Sequence, residues 1–599
     1  MASSPRDARR GGKPGGGHAA FGTKDISAWG SFVFNFNNAT GPALVCLPLC
    51  VQQAGWVFPL FLLWFIAACS GVVAMMLCEA MQRIPGNHKL TQRYEYCTMV
   101  KHYMGNRWYM FTTVMYNLSL LATNVAAIVI TAQVMDNCIF HVCRGTYGLD
   151  YGTFPPTFVH AVEKGSGGTA GTVHWSSGGD NVVSLGFLVI SALIVPIGAM
   201  NLDESMWLQW LSFGSLVLFT SAFIVQFVQD AAANIQDINE LAPPVTDLMG
   251  QIPVLGVVLF ANAYMVTIPS WVNEKAPNVS VTKATWLPAG AAALLSSIFA
   301  ITGAWAYKLL EFPDGVHGKD RGHPKDGAGD VLNYVLGPGS SWWMFMCGYL
   351  WSLTVLVPGI PILAIVVRYN LQSGGASRSF AFILSSVLPV LVTAFLYERG
   401  ILQGLCQWVA VFLQGLINFV LPPILYRKAI ITYGTGHPGE RLMRPPPHPH
   451  DAVDGEEDAA KDLESEGLLL LHPAGHPPFS NNIDGMGAAT ATGGDSRHPG
   501  HRTGDVDGEA MVGSAPQSLP ADGQWDSISA PLLAHTDGLE GDEHRQVEIQ
   551  AVPSWIGVSK LAFADGLAWM LGGLCTLAVI LTLCGAISDA DTADKGGFQ

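Results

Sequence analysis

Charge is what this chain has least of. Only 13% of its 599 residues are Asp, Glu, Lys or Arg, while half are hydrophobic, and that balance excludes a string of ordinary soluble domains. The two apolar runs that matter most below, 29–53 and 252–271, hold no charged residue at all. Signatures of covalent catalysis are also missing: no HExxH, Walker A loop or nucleophile elbow stands in a supporting context, so an enzyme is not expected. No ring of charges or filter repeat of the kind that lines an ion channel is present. Residues 1–28 are polar, glycine-rich and basic, without the apolar core of a cleavable signal. The eleven cysteines fall mostly inside apolar runs, where they pack as small hydrophobes. Cys138 and Cys143, at the outer end of the third run, are the pair placed for a disulfide in an oxidising compartment.

What the chain has instead is a series of apolar runs, each near the about 17 to 25 residues that cross a bilayer as a helix. Eleven are expected, at 29–53, 57–82, 108–139, 182–200, 206–228, 252–271, 285–309, 341–368, 379–397, 401–426 and 560–586. The basic residues Arg6, Arg9, Arg10, Lys13 and Lys24 put the amino terminus on the cytoplasmic side. Alternating eleven spans from there leaves the carboxyl terminus outside or in a lumen.

Two of these runs are interrupted. In the first, Asn37, Asn38, Thr40, Gly41 and Pro42 sit where a plain spanning helix would carry leucine. Irregular backbone at membrane depth persists only where it is buried in protein or lines a polar cavity. Pro42 suits the first turn of a new half-helix, with Thr40 or Gly41 as its N-cap. The free amides of that half-helix would attract an anion such as a ligand carboxylate. Asn37 and Asn38 offer oxygen donors to a small cation or an ammonium group. A proline-kinked structural helix is the bland alternative. The sixth run repeats the pattern, with Asn262, Tyr264, Thr267 and Pro269 inside apolar sequence. Interrupted segments at corresponding places in two inverted halves point to a transporter's binding site. Five spans plus five, each half opening on a broken helix, is the repeat that hydropathy and break position suggest.

Other polar residues inside the runs are read two ways. Asn117 and Asn124 lie two turns apart on one face of the third span, as interhelical glue or as cavity lining. Gln403, Gln407, Gln414 and Asn418 mark the tenth span in the same sense. Ser352 and Thr354 in the eighth complete an oxygen cage for a cation or cap local kinks. Glu79 ends the second span near Arg83, and Asp565 enters the last span at its water-accessible edge.

Residues 429–552 are different material: 21 Asp and Glu stand against 6 Lys and Arg, with nine of the 17 histidines. Such a segment does not bury enough apolar surface to fold alone. Within it Glu464, Ser465, Glu466, Gly467, Leu468 and Leu469 read as an acidic dileucine sorting signal. The domain expectation is a disordered cytoplasmic tail at 1–28, a ten-helix core at 29–427, a disordered acidic cytoplasmic loop at 428–552, an eleventh helix at 553–588 and a short tail at 589–599.

The run from Asn38 through Thr40, Gly41, Pro42, Ala43 and Leu44 to Gln53, Ala54, Gly55 and Trp56 resembles the first-span signature of the amino acid/auxin permease family. Residues 268–280 resemble the end of the sixth span in its protist and algal members, and Ile360, Pro361, Ile362 with 367–371 the close of the eighth. The resemblance implies an all-α polytopic membrane protein of 11 transmembrane helices. Its fold would be leucine-transporter-like, a 5+5 inverted repeat with broken helices 1 and 6 plus one extra C-terminal helix. It implies a substrate site at Thr40, Gly41, Ala43, Asn262, Tyr264 and Thr267, and a sodium site at Asn38 with Ser352 or Thr354, as in sodium-coupled neutral amino acid transporters. Pro42 with Ala43, and Pro358 with Gly359, depart from the relatives' pattern. The function expected is secondary active transport of neutral amino acids by alternating access, with sodium or protons as coupling ion and no other cofactor. The alternative is a non-transporting amino acid sensor signalling through the acidic loop. Expected partners are an amino acid, membrane lipid, and sorting or regulatory proteins at 428–552; nucleic acid is not among them. The membrane is the plasma membrane or that of a vacuole or lysosome.

Overall fold

The computed structural model describes residues 21–40, 42–151, 155–162, 174–175, 182–233, 251–306, 331, 335, 341–395, 412–434, 549–552 and 557–596. Gly41, Gln403, Gln407 and the dileucine stretch lie outside them. The chain divides into two units, residues 1–443 with 547–599 and residues 444–546, and the described elements all belong to the first.

That unit is mostly helical. Its helices are α1 (Ala28–Thr40), α2 (Leu47–Ala54), α3 (Val57–Arg83), α4 (Tyr96–Met104) and α5 (Asn106–Cys143), followed by α6 (Leu185–Gly198) and α7 (Met206–Ala233). After them come α8 (Gln251–Ala261), α9 (Ile268–Glu274), α10 (Val281–Ala306), α11 (Trp342–Ser373), α12 (Arg378–Ala394), α13 (Leu421–Tyr433) and α14 (Lys560–Gly596). Among the described residues, seven segments are long and apolar enough to cross a membrane: α3, α5, most of α7, Val254–Glu274, α10, α11 and Lys560–Ile580. Helices α6 and α12 are apolar but shorter. Their outward faces carry large apolar side chains, such as Phe61 and Trp64 on α3, while Ile66, Val73, Met76 and Leu77 of the same helix are buried. This is the pattern of a chain whose outer solvent is lipid and whose core is made by helix against helix.

Not everything is helix. Between α5 and α6 the chain builds a four-stranded antiparallel sheet from β1 (Tyr147–Asp150), β2 (Thr157–Val162), β3 (His174–Trp175) and β4 (Val182–Ser184), in the order β3-β2-β1-β4. The all-α expectation therefore needs this correction. The short alternating runs Tyr147–Asp150 and Thr157–Val162 pair residue for residue, Tyr147 with His160 and Asp150 with Thr157. Ser184 ends the sheet and caps α6, its hydroxyl accepting from the Phe187 amide at 3.1 Å. At Gly186 the backbone of α6 meets α5 so closely that a Cβ there would stand 2.7 Å from the Ala132 carbonyl and the Asp136 amide. Gly55 turns the chain from α2 into α3 at a φ of 83°, open to glycine without strain.

The pair placed for a possible disulfide stands unbridged. Cys138 and Cys143 are free thiols on one continuous helix, α5. Five positions apart, they lie well round the helix from each other, and bridging them would require that turn to unwind.

Two polar hubs fasten the helices at their ends. In the first, the carboxylate of Glu79, buried on α3, accepts from Arg83 Nη2 at 2.6 Å, Lys560 Nζ at 3.1 Å, the Tyr426 hydroxyl at 3.0 Å and the Ala551 amide at 2.8 Å. In the second, residues 21–27, expected as the end of a polar tail, pack as a strap. Ile26 forms a parallel bridge to Lys275 and is buried. The Gly22 amide donates to Glu274 Oε1 at 3.1 Å, and Thr23 donates through its amide and hydroxyl to Asp203. Arg93 reaches Glu274 at 3.4 Å and also donates to the Gly22 carbonyl.

Candidate functional site

The chain breaks inside its sixth apolar run for a reason visible in its residues. Pro269 sits in the first turn of α9 and brings no amide hydrogen, so a helix arriving from α8 cannot run through it unaltered. Helix α8 tightens at its end, with the Asn262 amide donating to Leu259 and the Ala263 amide to Phe260. Tyr264 leaves helical geometry, and Met265–Thr267 form a 3-10 turn before α9 begins. Thr267 donates to the Tyr264 carbonyl through both its amide, at 3.1 Å, and its hydroxyl, at 2.8 Å. The freed carbonyl of Asn262 accepts from Ser70 of α3 at 3.2 Å, and the Asn262 amide side chain donates to Val258. Asn262, Tyr264 and Thr267 are all buried, and the Tyr264 hydroxyl has no partner. A buried hydroxyl left unpaired is costly, so it marks where a polar ligand group would be welcome.

The first run breaks differently from expectation. Helix α1 continues through Asn38 to Thr40, and Thr40 is not an N-cap: its hydroxyl turns back to the Phe36 carbonyl at 2.8 Å. Pro42 opens a 3-10 turn, Pro42–Cys46, and the α-helix restarts only at Leu47 with Pro48 in its first turn. The proline that permits the restart is thus Pro48, six residues later than expected. The Ala43 side chain lies outside the described atoms, so of the six expected substrate residues, Thr40, Asn262, Tyr264 and Thr267 have described side chains. The Pro42–Cys46 turn and α2 both pack against α8, the helix that ends at the second interruption.

The asparagines of α1 are divided between neighbours. Asn35 donates to the Ala284 carbonyl of α10 at 2.9 Å, and Asn37 to the backbone and side-chain oxygens of Gln209 on α7. The side-chain oxygens of both are buried and unpaired. Asn38 donates within its own helix to Phe34. Ser352 and Thr354 lie in a π-helical turn, Ser352–Leu356, that packs against α5 and α7. Their hydroxyls donate to the Gly348 and Leu350 carbonyls, leaving oxygen lone pairs. Asn117 likewise donates within α5, to Thr113.

Several further residues gather around the break, Asn418 of the tenth apolar run among them and Glu95 not anticipated from the sequence. Tyr116 of α5 donates to the Val266 carbonyl at 3.2 Å, and Asn418 accepts from the Val266 amide at 3.2 Å. Glu95, buried at the start of α4, accepts from Ser270 at 2.6 Å and Asn273 at 2.8 Å, both on α9. Burial pushes its carboxyl above the usual carboxylate range, and those two hydrogen bonds oppose the rise. Burial likewise holds the Lys275 ammonium below its usual range. Pairs such as Glu95 with Asn273 stand far apart in sequence, so no local pattern announces them.

Many apolar helices around buried, interrupted backbone define an integral, multi-pass membrane protein. Residues 24–316 match the family model described as transmembrane amino acid transporter protein. No curated protein matches the chain. Among solved structures, the nucleobase-cation-symport-1 family transporter Mhp1, in a closed conformation with bromovinylhydantoin bound, is similar. Identity is 12% and the TM-score 0.45, with 68% of this chain and 79% of that one covered. Its inward-facing conformation gives 10%, 0.43, 69% and 78% for the same quantities.

Proposed function

We propose that the protein is a secondary active transporter of neutral amino acids, working by alternating access on a sodium or proton gradient. The observation that carries this reading is the pair of interrupted apolar runs, each without a charged residue of its own, in a chain whose residues 24–316 match a transmembrane amino acid transporter family model. A zwitterion needs donors for its carboxylate and acceptors for its ammonium group, with no net charge in the wall. The turn at Pro42–Cys46 offers backbone amides for the first, and the Tyr264 hydroxyl adds a group of either kind. Thr40, Gly41, Ala43, Asn262, Tyr264 and Thr267 form the substrate site in this reading, and Asn38, Ser352 and Thr354 hold sodium if sodium is the coupling ion. The eleven spans, their inverted repeat and a cytoplasmic amino terminus belong to the same proposal. The strap at 21–27 then closes the cytoplasmic side over Glu274. Uptake of labelled amino acids into proteoliposomes under imposed gradients tests the proposal, and binding without uptake would favour the sensor instead.

A further inference from the structure

One residue in the sixth-span interruption has both of its backbone polar groups held by side chains. The Val266 amide donates to Asn418 Oδ1 at 3.2 Å, and the Val266 carbonyl accepts from the Tyr116 hydroxyl at 3.2 Å. Val266, Asn418 and Tyr116 are each at most 4% exposed. The two clamps come from different segments of the chain. Tyr116 belongs to α5, and Asn418 to a π-helical turn, Leu416–Val420, that leads into α13. Such turns are frequent at functional sites because they re-aim one side chain out of the helical register.

Each clamp is itself fixed. Asn418 donates to the Gln414 carbonyl at 3.0 Å, and the Gln414 side chain donates to Thr123 of α5 at 2.7 Å. The Tyr116 hydroxyl accepts from Asn370 of α11 at 3.0 Å, and Asn370 in turn accepts from the Cys97 amide of α4. A single residue of the 3-10 turn is thereby tied to four other segments, with Tyr264 two residues before it and Thr267 one residue after it.

We infer that Asn418 and Tyr116 are positioning residues that set the conformation of the sixth-span interruption and so fix how Tyr264 and Thr267 present themselves to a substrate. The inference rests on the reading of that interruption as part of the amino acid site. Neither residue is required to touch the substrate. Without the Asn418 acceptor the Val266 amide is left unpaired away from water, and the turn relaxes to satisfy it.

The test uses the full-length protein with Asn418→Leu, which removes the acceptor at similar volume, and Tyr116→Phe, which removes only the hydroxyl and keeps the ring stacked on Tyr96. Hydrogen–deuterium exchange over residues 262–267 reports on the clamp whether or not any amino acid is moved. Faster exchange in both variants is expected, and exchange equal to wild type in both overturns the clamp. In proteoliposomes, each variant should raise the KM for the transported amino acid about tenfold, the scale of one lost hydrogen bond, with maximal rate per folded molecule nearly kept. Faster exchange with unchanged KM in a transporting protein overturns the positioning role. Faster exchange in a wild-type background that neither binds nor moves any amino acid leaves the clamp standing and removes the proposed function instead. Should the leucine variant fail to fold, the phenylalanine variant carries both readouts alone.

Discussion

Lys560, the first residue of α14, places its ammonium 3.1 Å from a carboxylate oxygen of Glu79 on α3, 481 positions earlier in the chain. That oxygen also receives Arg83, and its partner oxygen receives Tyr426 and Ala551. One buried carboxylate thus joins α3, α13, α14 and the segment preceding α14. Replacing Glu79 with Ala strands the Arg83 guanidinium in a buried position, a change that typically costs about 3–5 kcal/mol. Thermal unfolding in detergent should show a large loss for Glu79→Ala and a small one, about 1 kcal/mol or less, for Lys560→Ala, which leaves Arg83 as the carboxylate's partner.

Glu95 gives the stability a pH dependence of known sign. Its folded pKa is raised, so the folded protein holds a proton that the unfolded chain releases. Stability from this group therefore falls as pH rises from the ordinary glutamate value through the raised one. Glu95→Gln should flatten that part of the profile, read as melting temperature between about pH 4 and about pH 8. A profile identical to wild type would contradict the assignment.

At Gly186 the crowding is against backbone, which cannot swing aside as a flexible side chain does. Gly186→Ala should destabilise the contact of α5 with α6 by about 1–3 kcal/mol. Gly105 has nothing near its Cβ position, but its φ of 83° with ψ −178° suits only glycine, so the same change there should cost a comparable amount, about 1–3 kcal/mol, through backbone strain instead. Melting temperatures of the two variants in one detergent give the comparison.

Tyr264→Phe separates function from stability. The hydroxyl it removes has no partner in the fold, so stability should be equal or higher by about 1 kcal/mol. Uptake should nevertheless show a KM raised about tenfold if the hydroxyl meets the substrate. A variant indistinguishable from wild type in uptake would remove Tyr264 from the site.

Much of this was legible in one dimension. The interruption at Asn262–Thr267 was readable because Pro269 lacks an amide hydrogen and apolar sequence surrounds it. The first interruption was readable in existence but not in detail, since Pro42 and Pro48 both suit a first turn and the α-helix restarts at the second. Glu79 and Arg83 announce themselves as neighbours four residues apart on one helix. Lys560, Tyr426 and Ala551 do not, because their meeting at Glu79 is set by how helices assemble. The strap at 21–27 escaped for the same reason: its composition is that of a tail, and its order comes from Glu274, Asp203 and Arg93. The small sheet after α5 was hidden by a glycine-rich stretch that reads as plain loop.

The most direct measurement is uptake by the purified protein in proteoliposomes, offered a mixture of labelled amino acids with sodium and proton gradients imposed separately. Accumulation of a neutral amino acid driven by one gradient, and lost when that gradient is collapsed, is the predicted result. No accumulation under either gradient, by protein shown to be folded and inserted, would contradict secondary active transport.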